Sequence, residues 1–366
     1  MPGDRERAAW IASGSRTRAT RRGSDDRPGE IRCLVRGALK PNDFNAGAVL
    51  SERYVLSRRL GGGAAGNVWL ARDRRLGVDV ALKLLRAEVA QVTGMVERFT
   101  QEAALSLRML SPNVVKVIGG GTASDVPYIV YEELDGEDLA TKLMRSKRLS
   151  LGEMSTVVVH LCRGLARAHR VGVLHNDIKP ENIFLTKDTS GNLLAKILDF
   201  GVAELMKQRD PSEQHEIVGT LEYIAPEVFL GKIAPSPQSD LYSAGVVAYE
   251  CCTGRCPRPA TSVGELIVAF SEEAIEPPSS LRLEVTPELD AWFARALHDD
   301  PEERFESAKA MAEALHAAMT TVSDRGSSRR LIDAELREGA RASISPAEQR
   351  PTTSYSLIPG RGPDQE

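Results

Sequence analysis

The chain has 366 residues, 42% hydrophobic and 27% charged, the balance of a soluble globular protein forming one large or two small domains. Its formal net charge of −4 argues against general affinity for nucleic acid or an anionic membrane surface. No apolar run approaches the ~18 residues needed to span a bilayer, and no signal-peptide core follows the arginines between Arg5 and Arg22, so a cytoplasmic protein is expected.

Residues 1–50 are rich in Arg, Ser, Gly and Asp and poorly periodic, and read as a disordered leader. Ile31 to Val35 is one short strand candidate within it. From Tyr54 to Tyr131 short β-like runs dominate: Tyr54 to Leu56, Val68 to Ala71, Val78 to Leu85, Val114 to Ile118 and Tyr128 to Tyr131. One helical pattern interrupts them, with Val96, Phe99, Ala103, Leu107 and Leu110 on a single apolar stripe. Two further strands, Ile183 to Thr186 and Leu193 to Leu198, flank the turn-rich segment 187–192. After Leu134 helices take over, at Met154 to His169, Asp240 to Cys252, Ala291 to Leu297 and Ala308 to Met319. A small strand-rich lobe before a larger helical one is an α+β arrangement with a cleft between them. Residues 321–366 return to Ser, Arg, Pro and Gly and read as a disordered tail, with one or two helical turns available from Leu331 to Leu336. The five cysteines, three of them at 251, 252 and 256, lack metal-finger spacing and read as buried free thiols.

Chemistry concentrates in a few segments. Gly61, Gly63 and Gly66 form a G-x-G-x-x-G pattern between two strand candidates, where bare backbone amides can approach phosphate oxygens. A plain Gly/Ala linker is the alternative for that segment. In Val80-Ala81-Leu82-Lys83, Ala81 and Lys83 share one strand face, and the apolar neighbours imply a buried ammonium that needs a partner. Glu102, three residues after Phe99 at the edge of the helical stripe, is the candidate partner, against an ordinary solvated glutamate. The run from His175 to Asn182 supplies Asp177, Lys179 and Asn182, and Asp199 follows the hairpin. A hairpin sets the residue entering its first strand beside the one leaving its second, so Asn182 and Asp199 are expected to meet about 5 Å apart. His175, between apolar neighbours, reads as a structural histidine.

The ordered set Gly61-x-Gly63-x-x-Gly66-x-Val68, Val80 to Lys83, Glu102, His175-Asn176-Asp177-x-Lys179-x-x-x-Asn182, Asp199-Phe200-Gly201 and Ala225-Pro226-Glu227 resembles a protein kinase, most closely the bacterial serine/threonine kinases related to those of eukaryotes. The resemblance covers about residues 50 to 318. It implies a bilobal kinase domain over 51–320, with a small lobe at 51–132 and a large lobe at 133–320. It also implies ATP and Mg²⁺, with Mn²⁺ equally suited to the ligands, and protein substrates with Ser/Thr acceptors. By position, Gly61, Gly63 and Gly66 would cover the phosphates, and Lys83 would hold the α- and β-phosphates braced by Glu102. Asp177 would be the base and Lys179 would neutralise the transferring group, while Asn182 and Asp199 would hold the metal. Val68, Ala81 and Phe184 would sandwich adenine, with Tyr131 as gatekeeper and Glu132 to Leu134 as the hinge reading the base. Glu227 and Arg304 would form a structural ion pair, and Lys179 with Thr220 favours Ser/Thr over Tyr acceptors.

Two departures carry expectations of their own. Asn176 stands where most members have an arginine that pairs with an activation-loop phosphate, and Ser212 is the only hydroxyl residue between Val202 and Gly219. Activity without activation-loop phosphorylation is therefore expected. Ser106 replaces an apolar residue of the internal spine and would loosen the helix bearing Glu102. A catalytically weak pseudokinase serving as a nucleotide-dependent scaffold is the alternative function, and a small-molecule phosphotransferase a third. Eight Ser/Thr residues in the tail, from Ser327 to Ser356, offer self-phosphorylation sites for a phosphopeptide-binding partner.

Overall fold

Five of the apolar runs between Val49 and Glu132 pair into one antiparallel sheet, and a two-residue strand completes it. In chain order the strands are β1 (Val49–Leu50), β2 (Tyr54–Gly62), β3 (Gly66–Asp73), β4 (Val78–Leu85), β5 (Val117–Ala123) and β6 (Val126–Glu132), arranged β1-β2-β3-β4-β6-β5. The computed structural model of the chain describes residues 44–62, 66–91, 94–107, 109–200, 221–272 and 274–321. The strand candidate at Ile31 to Val35 and residues 322–366 lie outside them. Leu56, Ala71, Val80, Leu82 and Val130 pack one side of the sheet among themselves. The other side faces α1 (Met95–Ser106), whose Phe99 is buried against Leu85, Val117, Ile129 and Tyr131.

Two expectations need correction here. The helical stripe holds only for Val96, Phe99 and Ala103, because α1 ends at Ser106 and leaves Leu107 and Leu110 51% and 72% exposed. The strand expected from Val114 begins at Val117 instead. Val114 forms an isolated parallel bridge with Ile197, Val115 N donates to Ile197 O, and Ile197 N donates to Asn113 O. That stretch is spent on a second sheet, which no local periodicity announces.

The second sheet is β7 (Glu137–Asp138), β8 (Ile183–Lys187) and β9 (Leu193–Ile197), with Ile183 opposite Ile197 and Lys187 opposite Leu193. It lies against α3 (Leu151–Arg170), which follows the short α2 (Leu139–Ser146). Ser150 and Glu153 form a capping box at the start of α3, satisfying amides that the first turn leaves unpaired. At the centre stands α4 (Pro237–Thr253), in which thirteen residues are buried. A helix enclosed on every side belongs to a core, so its apolar sequence has no amphipathic period. It starts with a Ser236–Ser239 capping box and ends at Gly254, whose φ of 88° and approach to Lys147 O, where a Cβ would stand at 2.9 Å, both require glycine. The remaining longer helices are α5 (Val263–Glu272), α6 (Pro287–Ala296) and α7 over 308–321.

The described cysteines, Cys162, Cys251, Cys252 and Cys256, are free and buried, as the spacing predicts. Desolvation pushes the Cys162 thiol up to about 12 and Cys252 up to about 11, so these sulfurs stay protonated packing groups.

Candidate active site

The site is built where the two sheets meet. In β4, Lys83 lies opposite Val68 of β3 and Ile129 of β6, and Ala81 lies opposite Leu70 and Tyr131. Directly opposed residues share a face, so Val68, Ala81, Lys83 and Tyr131 line one side of the small sheet. Lys83 is 5% exposed, and its Nζ lies 2.8 Å from Asp199 Oδ1. The expected partner Glu102 belongs to α1, but its side chain lies outside the described residues. Of the glycines, Gly63 also lies outside them. A Cβ at Gly66 would stand 2.3 Å from Leu84 O, so packing on β4 by itself requires glycine there. A Cβ at Gly61 would meet nothing within 4 Å.

From Asp199 the connections run back to the loop before β8. Leu198 N donates to Asn182 O at 2.9 Å, the pairing that a hairpin closing at Asn182 and Asp199 dictates. Asn182 Nδ2 donates to Asp177 O at 2.7 Å and to Asp177 Oδ2 at 2.9 Å. Both neighbours only accept, so the amide nitrogen must face them and the amide oxygen is left for another donor or a cation. Lys179 Nζ reaches the same Asp177 Oδ2 at 2.9 Å. Lys83 with Asp199, and Lys179 with Asp177 and Asn182, thus form two bonded groups, joined by the backbone bond from Leu198 N, one residue before Asp199, to Asn182 O.

His175 fixes that loop from beneath. It is fully buried; its Nε2 donates to Leu198 O at 2.8 Å, and Asp177 N donates to its Nδ1 at 3.2 Å. A carbonyl can only accept and an amide can only donate, so the ring is neutral with its proton on Nε2. The Phe200 ring packs edge-on to it, centroids 4.7 Å apart. Two backbone positions here are strained: Asn176 has φ 63° and Asp199 φ 48°, in the left-handed region that asparagine and aspartate enter more readily than most side chains.

Asp240 is the residue sequence reasoning missed as part of the site. Its Oδ2 accepts from His175 N at 2.9 Å and from His169 Nε2 at 2.8 Å, and its Oδ1 accepts from Asn176 N at 2.8 Å. It sits in the first turn of α4 and is 1% exposed. The signal was available: a carboxylate opening an otherwise apolar helix has to be satisfied by something outside it.

The end of β6 is equally tied. Glu132 ends β6, and its Oε1 accepts from Lys196 Nζ at 2.7 Å and from Lys116 N at 2.8 Å. Leu134 packs on the small-lobe cluster, and Phe184, half-buried, pairs with Asp138 and Lys196 in the second sheet. Ser106 is buried at the end of α1. Farther off, Arg304 grips Glu227 through Nη1–Oε1 at 2.8 Å and Nη2–Oε2 at 2.7 Å, the pairing the resemblance implies.

A family profile for the protein kinase domain matches residues 54–316. Serine/threonine-protein kinase Pkn1 of Myxococcus xanthus is 35% identical over 267 residues, 73% of this chain and 38% of that protein. Serine/threonine-protein kinase PknA of Mycobacterium tuberculosis is 36% identical over 276 residues, 74% of this chain and 62% of that protein. The chain therefore spans 38% to 62% of the length of these relatives. Among solved structures, the PknI kinase domain of M. tuberculosis superposes with a TM-score of 0.60 at 25% identity, covering 75% of this chain and 99% of that domain. With a bilobal fold, a matching profile over most of its length and relatives of this kind, the chain belongs to the protein kinase domain family.

Proposed function

We propose that this chain is a serine/threonine protein kinase that transfers the γ-phosphoryl group of ATP to protein hydroxyls without needing activation-loop phosphorylation. The observation that supports the reading is the pair Lys83–Asp199 and the trio Lys179–Asp177–Asn182, joined through the Leu198 N–Asn182 O backbone bond, which links the small sheet to the loop before β8. Asp177 keeps one carboxylate oxygen engaged by Lys179 and Asn182, leaving Oδ1 to accept the proton of an acceptor hydroxyl. Lys179, beside Asp177, would balance charge on the transferring phosphoryl. Lys83, held by Asp199, awaits the α- and β-phosphates, and Gly61 and Gly66 offer backbone close to them. Val68, Ala81 and Phe184 would enclose the adenine, which Glu132 to Leu134 would read through their backbone.

The donor set fits a hard divalent cation: the Asn182 amide oxygen is directed away from its hydrogen-bonded nitrogen, and Asp199 keeps a second carboxylate oxygen beyond the one facing Lys83. Mg²⁺ held there would neutralise phosphate charge; Mn²⁺ suits the same oxygens. The relatives' printed names, serine/threonine-protein kinases, support the choice of acceptor.

Independence from loop phosphorylation rests on Asn176. Its carboxamide carries no charge for a phosphate, and its buried Oδ1 has no hydrogen-bond partner among the described residues. Ser212 lies outside the described residues. Incubation with radiolabelled ATP and Mg²⁺ tests the whole reading. Label should reach protein with the unsubstituted chain and with Ser212→Ala, but not with Asp177→Asn. No label from any of the three identifies a pseudokinase scaffold, and a tenfold loss confined to Ser212→Ala sinks the loop-independent part.

A further inference from the structure

Away from the site just described, a groove of about 840 Å³ runs between α3 and α7. Its floor is Val159, Cys162, Ala166, Ala308 and Ala312. Mostly small side chains from both helices leave the apolar seam open. Its rim is basic: Arg163, Arg167 and Arg170 on α3, Lys309 and His316 on α7. Positions 159, 162, 163, 166, 167 and 170 follow helical spacing, so floor and rim belong to one face of α3. Glu313 is the one rim carboxylate, and it is engaged with Lys309 at 3.5 Å. Among the described residues, no carboxylate pairs with Arg163 or Arg170. An apolar floor under a cationic rim suits an amphipathic helix that carries acids.

The chain supplies such a segment close by. Leu331-Ile332-Asp333-Ala334-Glu335-Leu336-Arg337-Glu338 has three acids against one arginine. At helical spacing Ile332 and Leu336 share a face, flanked by Asp333 on one side and Glu335 on the other. As a helix its eight residues span about 12 Å, and the α3 face from Val159 to Arg170 offers about 16 Å. Nine residues, 322–330, separate it from the described end of α7, a reach of up to ~30 Å, enough to turn back along that helix. We infer that Leu331–Glu338 docks in this groove as an amphipathic helix, with Ile332 and Leu336 on the floor and its acids against the Arg163 and Arg170 rim.

His169 also lines the groove, and its Nε2 holds Asp240 and through it the amides of His175 and Asn176. A docked segment therefore buttresses the loop that carries Asp177. The docking itself depends on the fold and not on phosphotransfer, so its test is separate. Hydrogen exchange read by mass spectrometry on the full chain compares the unsubstituted protein with the Ile332→Asp, Leu336→Asp double variant. Exchange should rise at least tenfold in peptides covering 159–170 and 308–316, and an excess of synthetic peptide 329–340 should restore protection. Glu335→Arg should raise exchange in the same peptides, and adding Arg163→Glu should reverse it, a rescue that misfolding would not give. Unchanged exchange in the double variant overturns the inference. So does protection that falls when the unsubstituted chain is diluted, which would assign the groove to a second copy.

Discussion

Lys83 and Asp199 are 116 residues apart in the chain, yet their charged atoms lie 2.8 Å apart, one in the small sheet and the other just beyond the second. The ammonium is almost wholly buried while the carboxylate side chain remains 35% exposed. An ammonium so desolvated persists because it is paired, and the exposed side of its partner is where a ligand would arrive. Lys83→Met should therefore lower kcat by at least ~100-fold through loss of a preorganised phosphate contact. Folding stability should change by less than ~2 kcal/mol, because Asp199 regains water. Steady-state phosphotransfer and urea denaturation measure the two effects, and undiminished turnover would remove Lys83 from the proposed chemistry.

Among the described residues Arg304 is the largest fully buried side chain, and besides its two bonds to Glu227 it donates to the carbonyls of His298, Gln238 and Asp299. Removing the carboxylate strands a guanidinium in the core. Glu227→Gln should cost about 3 kcal/mol, the lower end for breaking a buried pair. The shift in the urea midpoint at unchanged slope checks this, and a loss under ~1 kcal/mol would show that the three carbonyls alone satisfy the arginine.

Asp73 gives a pH signature. Its carboxylate takes bonds from Arg53 Nε and Nη2 and from the amides of Arg75 and Leu76, closing the turn after β3. The Arg53 hydrogen bond is the main reason its pKa lies below the usual carboxylate range, outweighing burial. A depressed folded value means the unfolded chain binds the proton first, so the stabilisation is complete above the ordinary aspartate value and decays as pH falls through the folded one. The stability gap between the unsubstituted chain and Asp73→Asn should be widest at pH 7 and close below about pH 4. Urea curves at pH 7, 5 and 3 provide the test, and a gap independent of pH contradicts the assignment.

What the sequence made legible, and what it hid, follows from the range of the forces involved. β4, buried along nearly all its length from Val80 onward, occupies the span Val78–Leu85 that its apolar run predicts. The β8–β9 hairpin is local, so the meeting of Asn182 with the Leu198–Asp199 end follows from turn geometry alone. Asp240 was hidden because its partners lie 64 to 71 residues away and its helix reads as plain core. The segment from Asn113 to Val115 was hidden for a related reason: its apolar residues suit either sheet, and only the folded chain decides in favour of β9. Leu107 and Leu110 continue a helical period past the point where the helix itself ends.

The Glu132–Lys196 pair bears on nucleotide affinity. Glu132 accepts from Lys196 on β9 and from Lys116 N, while its own N donates to Lys116 O at 2.9 Å. One side chain at the end of the small sheet is thus fixed to the second sheet, next to Phe184 in register. If the hinge backbone reads adenine above Phe184, this pair sets the spacing between them, and Lys196 acts as a positioning residue that touches no reacting atom. Lys196→Met frees the Glu132 carboxylate and lets the hinge sample orientations that misalign with the base. KM for ATP should rise about fivefold, near ~1 kcal/mol, with kcat nearly unchanged, since the lost contribution is uniform binding energy. Lys196→Arg, which keeps the charge beside Glu132, should recover most of the affinity. A fall in kcat at constant KM would instead mean that the pair supports the catalytic loop and not the hinge.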